Sequence, residues 1–272
     1  MRRNCYTYDN LWYNGRLGNQ LFQIAATYCL AKQNDGICRF NPDWEYRDYF
    51  NVPDELFDEI PHGYNIVDGE TNYFQQWGYI DPVKDEIWNW FQPSFDHLSK
   101  DVQAFTSDLW AYNAIGGANC SIHVRRGDYL KHPKHFPIMT SRYFTSAVND
   151  VKDRRGPNTR FFIFSDDLEW CKSNLSYFGL SKSDLVTFVE GVVRPVEIHD
   201  RTHEPQDQWD LFKMGDIHMN EHIISNSTFS WWGAFLAGNK QAIYPNRWFG
   251  SAVPEHKTWE KIIVPGWRKF YC

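Results

Sequence analysis

Three short stretches carry residue types able to manage a large anion: HVRRGDY at 123–129, FSDD at 164–167 and ISNSTFSWWG at 224–233. The first puts Arg125 and Arg126 directly behind Ser121 to Val124, which alternates weakly and is broken by Gly127, the pattern of a half-buried strand opening into a loop. A guanidinium cannot shed its charge, so both arginines need an anion or water, and Arg125 can grip a phosphate with two parallel hydrogen bonds where a lysine could not. The second stretch offers the carboxylates of Asp166 and Asp167. The third places Asn226, Ser227, Thr228 and Ser230 ahead of an apolar helical run from Trp231 to Leu236, so hydroxyls and backbone N–H groups of a helix start face whatever lies above it. Two arginines, a helix start and two carboxylates suit a nucleoside diphosphate whose base donates hydrogen bonds to a carboxylate, as guanine does. The plainer readings are a surface ion pair for the arginines and ordinary helix capping by Ser227 or Thr228.

Other motifs compete. HMNEH, His218 to His222, matches the H-x-x-E-H pattern of a zinc peptidase, with Glu221 as its base, but Ile223, Ile224 and Ser225 make the segment read as a helix end passing into a strand. Arg126-Gly127-Asp128 matches an adhesion tripeptide, although it stands directly behind a strand end. Asp166 and Asp167 could hold a cation, yet no Asp-x-Asp motif occurs.

The elements that must position these loops are legible from about Asn119 onward. SIHV, RFFIFS, LVTFVEG, HIIS and QAIYP read as short apolar strands, with helical stretches such as TSRYFTSAVNDVKDR, DLEWCKSNL, QDQWDLFKMGDI and FSWWGAFLAG between them. Strands alternating with helices predict a parallel sheet covered on both faces, with its ligand at the carboxyl ends of the strands. Earlier in the chain, CYTYDNLWY predicts a strand, Gly15 and Gly18 a loop, and Leu21, Ile24, Ala25, Tyr28 and Cys29 the stripe of a helix ending near Gly36. The stretch 41–69 reads as irregular and 80–114 as mostly helical. The division expected is an amino-terminal unit over 1–115 and a carboxyl-terminal unit over 116–272.

Bulk properties narrow the partners. A net charge of -6 argues against wholesale binding to nucleic acid or an anionic membrane, so an anion site must be local. Aromatics form 18% of the 272 residues, and flat rings with polar tips suit the faces of sugars, although a core rich in tryptophan accounts for many of them. Six scattered cysteines without a C-x-x-C pair read as free thiols. No apolar run reaches the ~20 residues a membrane span needs, which gives the expectation of a soluble cytoplasmic protein of microbial or viral type, with a trimmed Golgi protein as the alternative.

Together these segments resemble the alpha-1,2-fucosyltransferases of the blood-group-H type. GRLGNQLFQIA at 15–25 is similar to the glycine loop of that family, YFQQWGY at 73–79 to its YFQ element and HVRRGDY to its arginine motif; FSDD, WDLFKM and HIISNSTFSWWGAFL follow in family order. The resemblance implies an α/β, glycosyltransferase-B-like fold of two Rossmann-like halves facing a cleft, with GDP-fucose held mainly by the second. It implies inverting transfer of L-fucose to the 2-hydroxyl of a terminal galactose in a glycan, without metal or other cofactor. Arg125 would face the β-phosphate; Arg16, Gly18, Asn19, His123, Ser227 and Thr228, with Asn226 and Ser230, would complete the donor site, and Asp166 or Asp167 would read guanine. Asn19 is also a catalytic candidate, and Asp128, with His132 or His135 behind it, is the candidate base. Phe74, Gln75, Trp77 and His132 would meet the acceptor. Arg126 would pair with Asp128 or another carboxylate. The chain departs from the family at Gly78, where a basic residue is usual, and at KHPKHFPI, 131–138; both lie where acceptor contacts are expected. Fucosyl transfer to peptide or core positions, and a catalytically silent nucleotide-sugar or glycan-binding protein, are the alternative functions.

Overall fold

A computed structural model describes residues 3–9, 11, 15–68, 73–190, 207–238, 241–254 and 258–272. Among them run the strands β1 (Asn4–Thr7), β2 (Ile37–Cys38), β3 (Asn65–Asp68), β4 (Ala118–Val124), β5 (Thr159–Ser165), β6 (Leu185–Phe188), β7 (Glu221–Ile223), β8 (Ile243–Pro245) and β9 (Arg268–Phe270). The α-helices are α1 (Leu17–Gln33), α2 (Trp77–Ile80), α3 (Lys84–Trp90), α4 (Lys100–Ala114), α5 (Ser141–Arg155), α6 (Leu168–Ser173), α7 (Asp207–Met214) and α8 (Thr228–Leu236). The chain forms two compact units, the first reaching Leu98 and taking in Asp207 and Gln208, the second starting at Ser99. The boundary therefore falls ahead of α4, not behind it at 115. The cause is packing: Leu109 of α4 is fully buried in one core with Phe162 and Phe164 of β5, and the Asn119 amide donates to the Leu109 carbonyl at 3.1 Å.

The first unit holds a parallel sheet of order β2-β1-β3. Helix α1 is buried on nearly every side, wider than the single stripe its spacing predicts, as for a helix covered all round. Strand β3 lies inside the stretch expected to be irregular. Its residues are mostly exposed at the edge of the sheet, so no alternation of polar and apolar side chains marks it.

The second unit is a six-stranded parallel sheet of order β6-β5-β4-β7-β8-β9. Numbered from β4, that is 3-2-1-4-5-6: the chain moves outward from β4 through β5 and β6, then returns to the other side of β4 with β7. Both faces are covered. Ile122, Val124, Phe161 and Ile163 pack with Tyr143, Phe144, Ala147 and Val148 of α5, while Phe162 and Phe164 meet Leu109 and Met214 on the other face. This is why β4 and β5 read as nearly continuous apolar runs. Strand β9 was not expected from the sequence; as a three-residue edge strand, Arg-Lys-Phe, it has no buried period to show. All six cysteines are free, five of them buried.

Candidate active site

In a sheet of this order the strands on either side of the reversal, β4 and β7, part at their carboxyl ends, and the crevice between them is where open α/β sheets bind ligands. Arg125 leaves the end of β4 and Ser225 to Ser227 leave the end of β7. One side chain ties the two loops together: Ser225 Oγ donates to the His123 carbonyl and accepts from the Arg125 N–H at 3.3 Å. Tyr143, buried on α5, links the end of β7 to β8, its hydroxyl lying 2.6 Å from the Ile224 carbonyl and 3.1 Å from the Ile243 carbonyl.

The guanidinium of Arg125 is mostly buried and faces two carboxylates. Its Nη2 meets Asp128 Oδ1 at 2.7 Å and its Nη1 meets Asp166 Oδ2 at 2.9 Å, with the Tyr129 ring 5.2 Å from its Cζ. Arg126 points elsewhere: its Nε meets Asp167 Oδ2 at 3.2 Å and its Cζ lies 3.5 Å from the Trp170 ring centroid. Held between an acid and an aromatic face, Arg126 fastens the loop to α6, so the tripeptide 126–128 is no adhesion loop. It is Arg125, rather than Arg126, that takes Asp128.

Asp166 gives both oxygens to these arginines, since Oδ1 also accepts the Arg126 backbone N–H at 2.8 Å. It is therefore a loop organiser, which corrects its expected role in reading a base. Asp167 is about a third exposed and gives the single Oδ2 to Arg126, so Oδ1 remains for a ligand. Gly127 allows the arrangement: a Cβ there would stand 2.7 Å from Asp166 Oδ2.

The start of α8 divides its expected ligands into two kinds. Asn226 is buried, and its amide donates to the Pro137 and Trp248 carbonyls at 3.1 and 2.8 Å. Ser230 is fully buried and donates to the Ser225 and Ser227 carbonyls at 3.4 and 3.2 Å. Ser230 builds the loop and is corrected as a ligand, because its one polar hydrogen is already spent on protein; Asn226 spends both amide hydrogens the same way, while its Oδ1 is buried with no partner among the described residues. Ser227 occupies the cap position, yet its side chain caps nothing, and no acidic residue sits in the first turn. Its hydroxyl and the amino-terminal end of α8 are what this loop can offer an anion.

His123 is a core residue. It is 6% exposed, its ring lies 5.7 Å from that of Phe229, and burial, helped by Arg125, pushes its pKa down to about 3. It packs within β4, and its Nδ1 is buried with no partner among the described residues. The HMNEH motif is also structural. Glu221 and His222 lie on β7, not on a helix; the Glu221 oxygens take Arg154 at 2.5 and 2.9 Å and Arg155 at 2.7 Å, and His222 Nδ1 meets Ser121 Oγ at 2.7 Å. Among the described residues no group of three or more His, Cys, Asp or Glu is placed to hold a metal ion.

The candidates in the first unit form their own cluster. Gly15, at φ +98°, carries the loop conformation, whereas Gly18 is an ordinary buried residue of α1. A Cβ on Gly15 would lie 2.2 Å from Asn19 Nδ2. The Gln75 amide donates to Asn19 Oδ1 at 3.0 Å, so the glycine loop and the YFQ element meet within one unit. Phe74 is left-handed at φ 53°, a conformation costing ~1–3 kcal/mol in a non-glycine residue, with its ring between Tyr8 at 6.2 Å and Tyr79 at 5.4 Å. Trp77 opens α2 half-buried and Arg16 is exposed at the start of α1. In the second unit His132 is exposed, 6.2 Å from the His135 ring. The sequence reading missed Ser225, Tyr129 and Trp170. Trp170 follows Asp167 by three residues on a helix, a spacing that puts both beside one partner.

These features define an α/β protein of the glycosyltransferase-B-like class, with a nucleotide-type crevice at the strand ends of its larger sheet. The chain belongs to glycosyl transferase family 11, whose model matches residues 38–270. It is 31% identical to an alpha-1,2-colitosyltransferase of Escherichia coli over 70% of this chain and 61% of that one. It is 26% identical to the galactoside alpha-(1,2)-fucosyltransferase 2 of Hylobates lar over 82% of this chain and 67% of that one. The chain thus spans about three fifths to two thirds of the length of these curated relatives. A solved structure of the NodZ alpha-1,6-fucosyltransferase co-crystallized with GDP shares the fold, with a TM-score of 0.51, 12% identity, and coverage of 86% of this chain and 92% of that one.

Proposed function

We propose that this chain is an inverting alpha-1,2-fucosyltransferase that moves L-fucose from GDP-fucose to the 2-hydroxyl of a terminal galactose in a glycan. The observation that carries the reading is the Arg125 guanidinium, held at the mouth of the β4–β7 reversal beside the uncapped start of α8. The 1,2 linkage is in the names of both relatives, and fucose and galactoside are in that of the second.

In this reading the bond between the anomeric carbon of fucose and the β-phosphate oxygen breaks while the galactose O2 bonds to that carbon from the opposite face. Negative charge grows on the departing diphosphate. A preset guanidinium and the N–H groups of α8 gain most at that moment, because they need no reorganisation to meet it. The Ser227 hydroxyl and the Thr228 N–H hold the diphosphate, and Asp167 accepts from the base. The proton of the attacking hydroxyl passes to Asp128. No metal or other cofactor takes part, and the enzyme works in the cytoplasm.

The colitosyltransferase relative favours one further reading of the same site, in which colitose replaces fucose. Calorimetric titration with GDP, UDP and ADP, with and without chelator, tests the nucleotide and metal assignments. Linkage analysis of the product formed with fucose and colitose donors tests the transfer. Tight binding of GDP alone, unchanged by chelator, and a 1,2-linked product are expected. Equal binding of all three nucleotides would remove the basis of the proposal.

A further inference from the structure

Between Arg125 and the first turn of α5 lies a loop that the donor site does not use, and its residues 131–135 are all exposed. In five positions, KHPKH, it carries Lys131, Lys134, His132 and His135 and no acid, on a chain whose net charge is -6. Neither lysine has an ion-pair partner among the described residues, whereas Arg125 and Arg126 beside them are both neutralised.

The loop is built, not loose. Both of its roots are tied to Asn226, which accepts from Tyr129 Oη at 3.0 Å and donates to the Pro137 carbonyl at 3.1 Å. Tyr129 stacks on Phe136, with centroids 4.8 Å apart and planes at 21°, closing the base of the loop. The crown rests on a second segment, where the Gly250 N–H donates to the His135 carbonyl at 2.7 Å and the Ala252 N–H to the Lys134 carbonyl at 3.1 Å. The approach at Gly250 is so close that a Cβ there would lie 2.1 Å from the Lys134 oxygen. A rigid frame presenting unpaired cations loses little side-chain and loop entropy when it meets an anion.

We propose that Lys131 and Lys134, with the His132 and His135 imidazoles as further hydrogen-bonding groups, recognise an acidic group on the acceptor glycan, so that the preferred acceptor is an anionic and not a neutral sugar chain. This rests on the transferase reading above and adds the chemical class of its acceptor. The donor diphosphate is the other anion in reach. It is served by Arg125 and the start of α8, and among the described residues neither lysine side chain bonds to either.

The test titrates a galactose-ended oligosaccharide bearing a glucuronic acid, its carboxyl-reduced neutral counterpart and its sulfated form into the GDP-loaded full chain. The same titrations are run with the Lys131→Glu, Lys134→Glu double variant. The acidic chain should bind about three- to tenfold tighter than the reduced one, as two exposed ion pairs allow, and the double variant should abolish that difference while its affinity for GDP stays unchanged. If the sulfated form gains equally, the loop reads charge; if the carboxylate alone gains, it reads that group; both outcomes support the proposal. Equal binding of acidic and reduced chains, a preference surviving the charge reversal, or a loss of GDP affinity in its place would overturn it. Absence of transfer to any of these acceptors while the binding preference persists would sink the transferase reading and leave the loop assignment standing.

Discussion

Arg125 and Asp166 meet at 2.9 Å between Nη1 and Oδ2, while the other oxygen of Asp166 takes the Arg126 N–H, so this carboxylate sets the direction of one arginine and the backbone of the next. Asp128 holds the second arm of Arg125 from a half-exposed position. An exposed pair contributes ~0–1 kcal/mol and opens readily, whereas Asp166 is anchored twice. Under the proposed function, an arriving diphosphate would displace Asp128 and leave Arg125 on Asp166.

Arg125→Ala should lower turnover with GDP-fucose ~100- to 1,000-fold, the usual consequence of losing one preset donor to a developing anion. Arg125→Lys should recover little, because an ammonium cannot span Asp166 and a phosphate as a fork does. Unchanged circular dichroism with lost turnover is the expected pair of observations. Full activity of Arg125→Ala would refute the role.

Gly127→Ala tests the carboxylate beneath the arginine. The added methyl would lie 2.7 Å from Asp166 Oδ2, so Asp166 must move and Arg125 moves with it. Overpacking of this kind costs ~1–3 kcal/mol in stability, and a displacement approaching 1 Å at a catalytic group costs ~100-fold in rate. Urea melts and steady-state rates on the same preparation separate the two effects.

Acid should destabilise the second unit through its buried imidazoles. Burial holds His123 at about 3 and His222 at about 4, against an ordinary value of 6.5. Between those values and 6.5 the unfolded chain binds more protons than the folded one, so stability is full above 6.5 and falls as pH drops through that window. Glu221 adds to this lower down. Its own burial raises the carboxyl, but Arg154 and Arg155 outweigh that and hold it below its usual range, so its contribution is present at neutral pH and lost in acid. Melting temperature should decline steadily from pH 6.5 to pH 4, and His222→Asn should reduce the slope. A flat profile would show that neither imidazole is sheltered.

Much of the second unit was legible because its physics is local. Strands buried on both faces read as apolar runs, and the loops behind them carry the charged residues, so β4, β5 and the arginine loop stand out from sequence alone. What stayed hidden depends on partners far along the chain. Nothing local shows that Asn226 spends its amide on Pro137 and Trp248, or that Asp166 is consumed by two arginines, and such contacts decide which polar residues remain for a ligand. Edge strands β3 and β9 escaped for the opposite reason: they are too short and too exposed to carry a period. The Asn19–Gln75 bond, across 56 positions, unites two motifs that sequence could only place in order.

Ser225 and Ser227 separate positioning from binding within three residues. Ser225 is fully buried and its hydroxyl serves both the His123 carbonyl and the Arg125 N–H. Ser225→Ala leaves both groups without that partner, at a cost of ~1–3 kcal/mol. Ser227 is 9% exposed, against none for Ser225, and its side chain makes no capping bond, so Ser227→Ala should cost less stability than Ser225→Ala. Binding should show the reverse order: Ser227→Ala removes a hydrogen bond to a charged diphosphate, worth ~1.5–3 kcal/mol, or roughly ten- to a hundredfold in GDP affinity. Ser225→Ala, once folded, should keep most of its affinity and lose rate, because Arg125 is bound to the loop less firmly. Paired urea melts and GDP titrations on the two variants decide the matter, and an identical pattern in both would show that the start of α8 is scaffold alone.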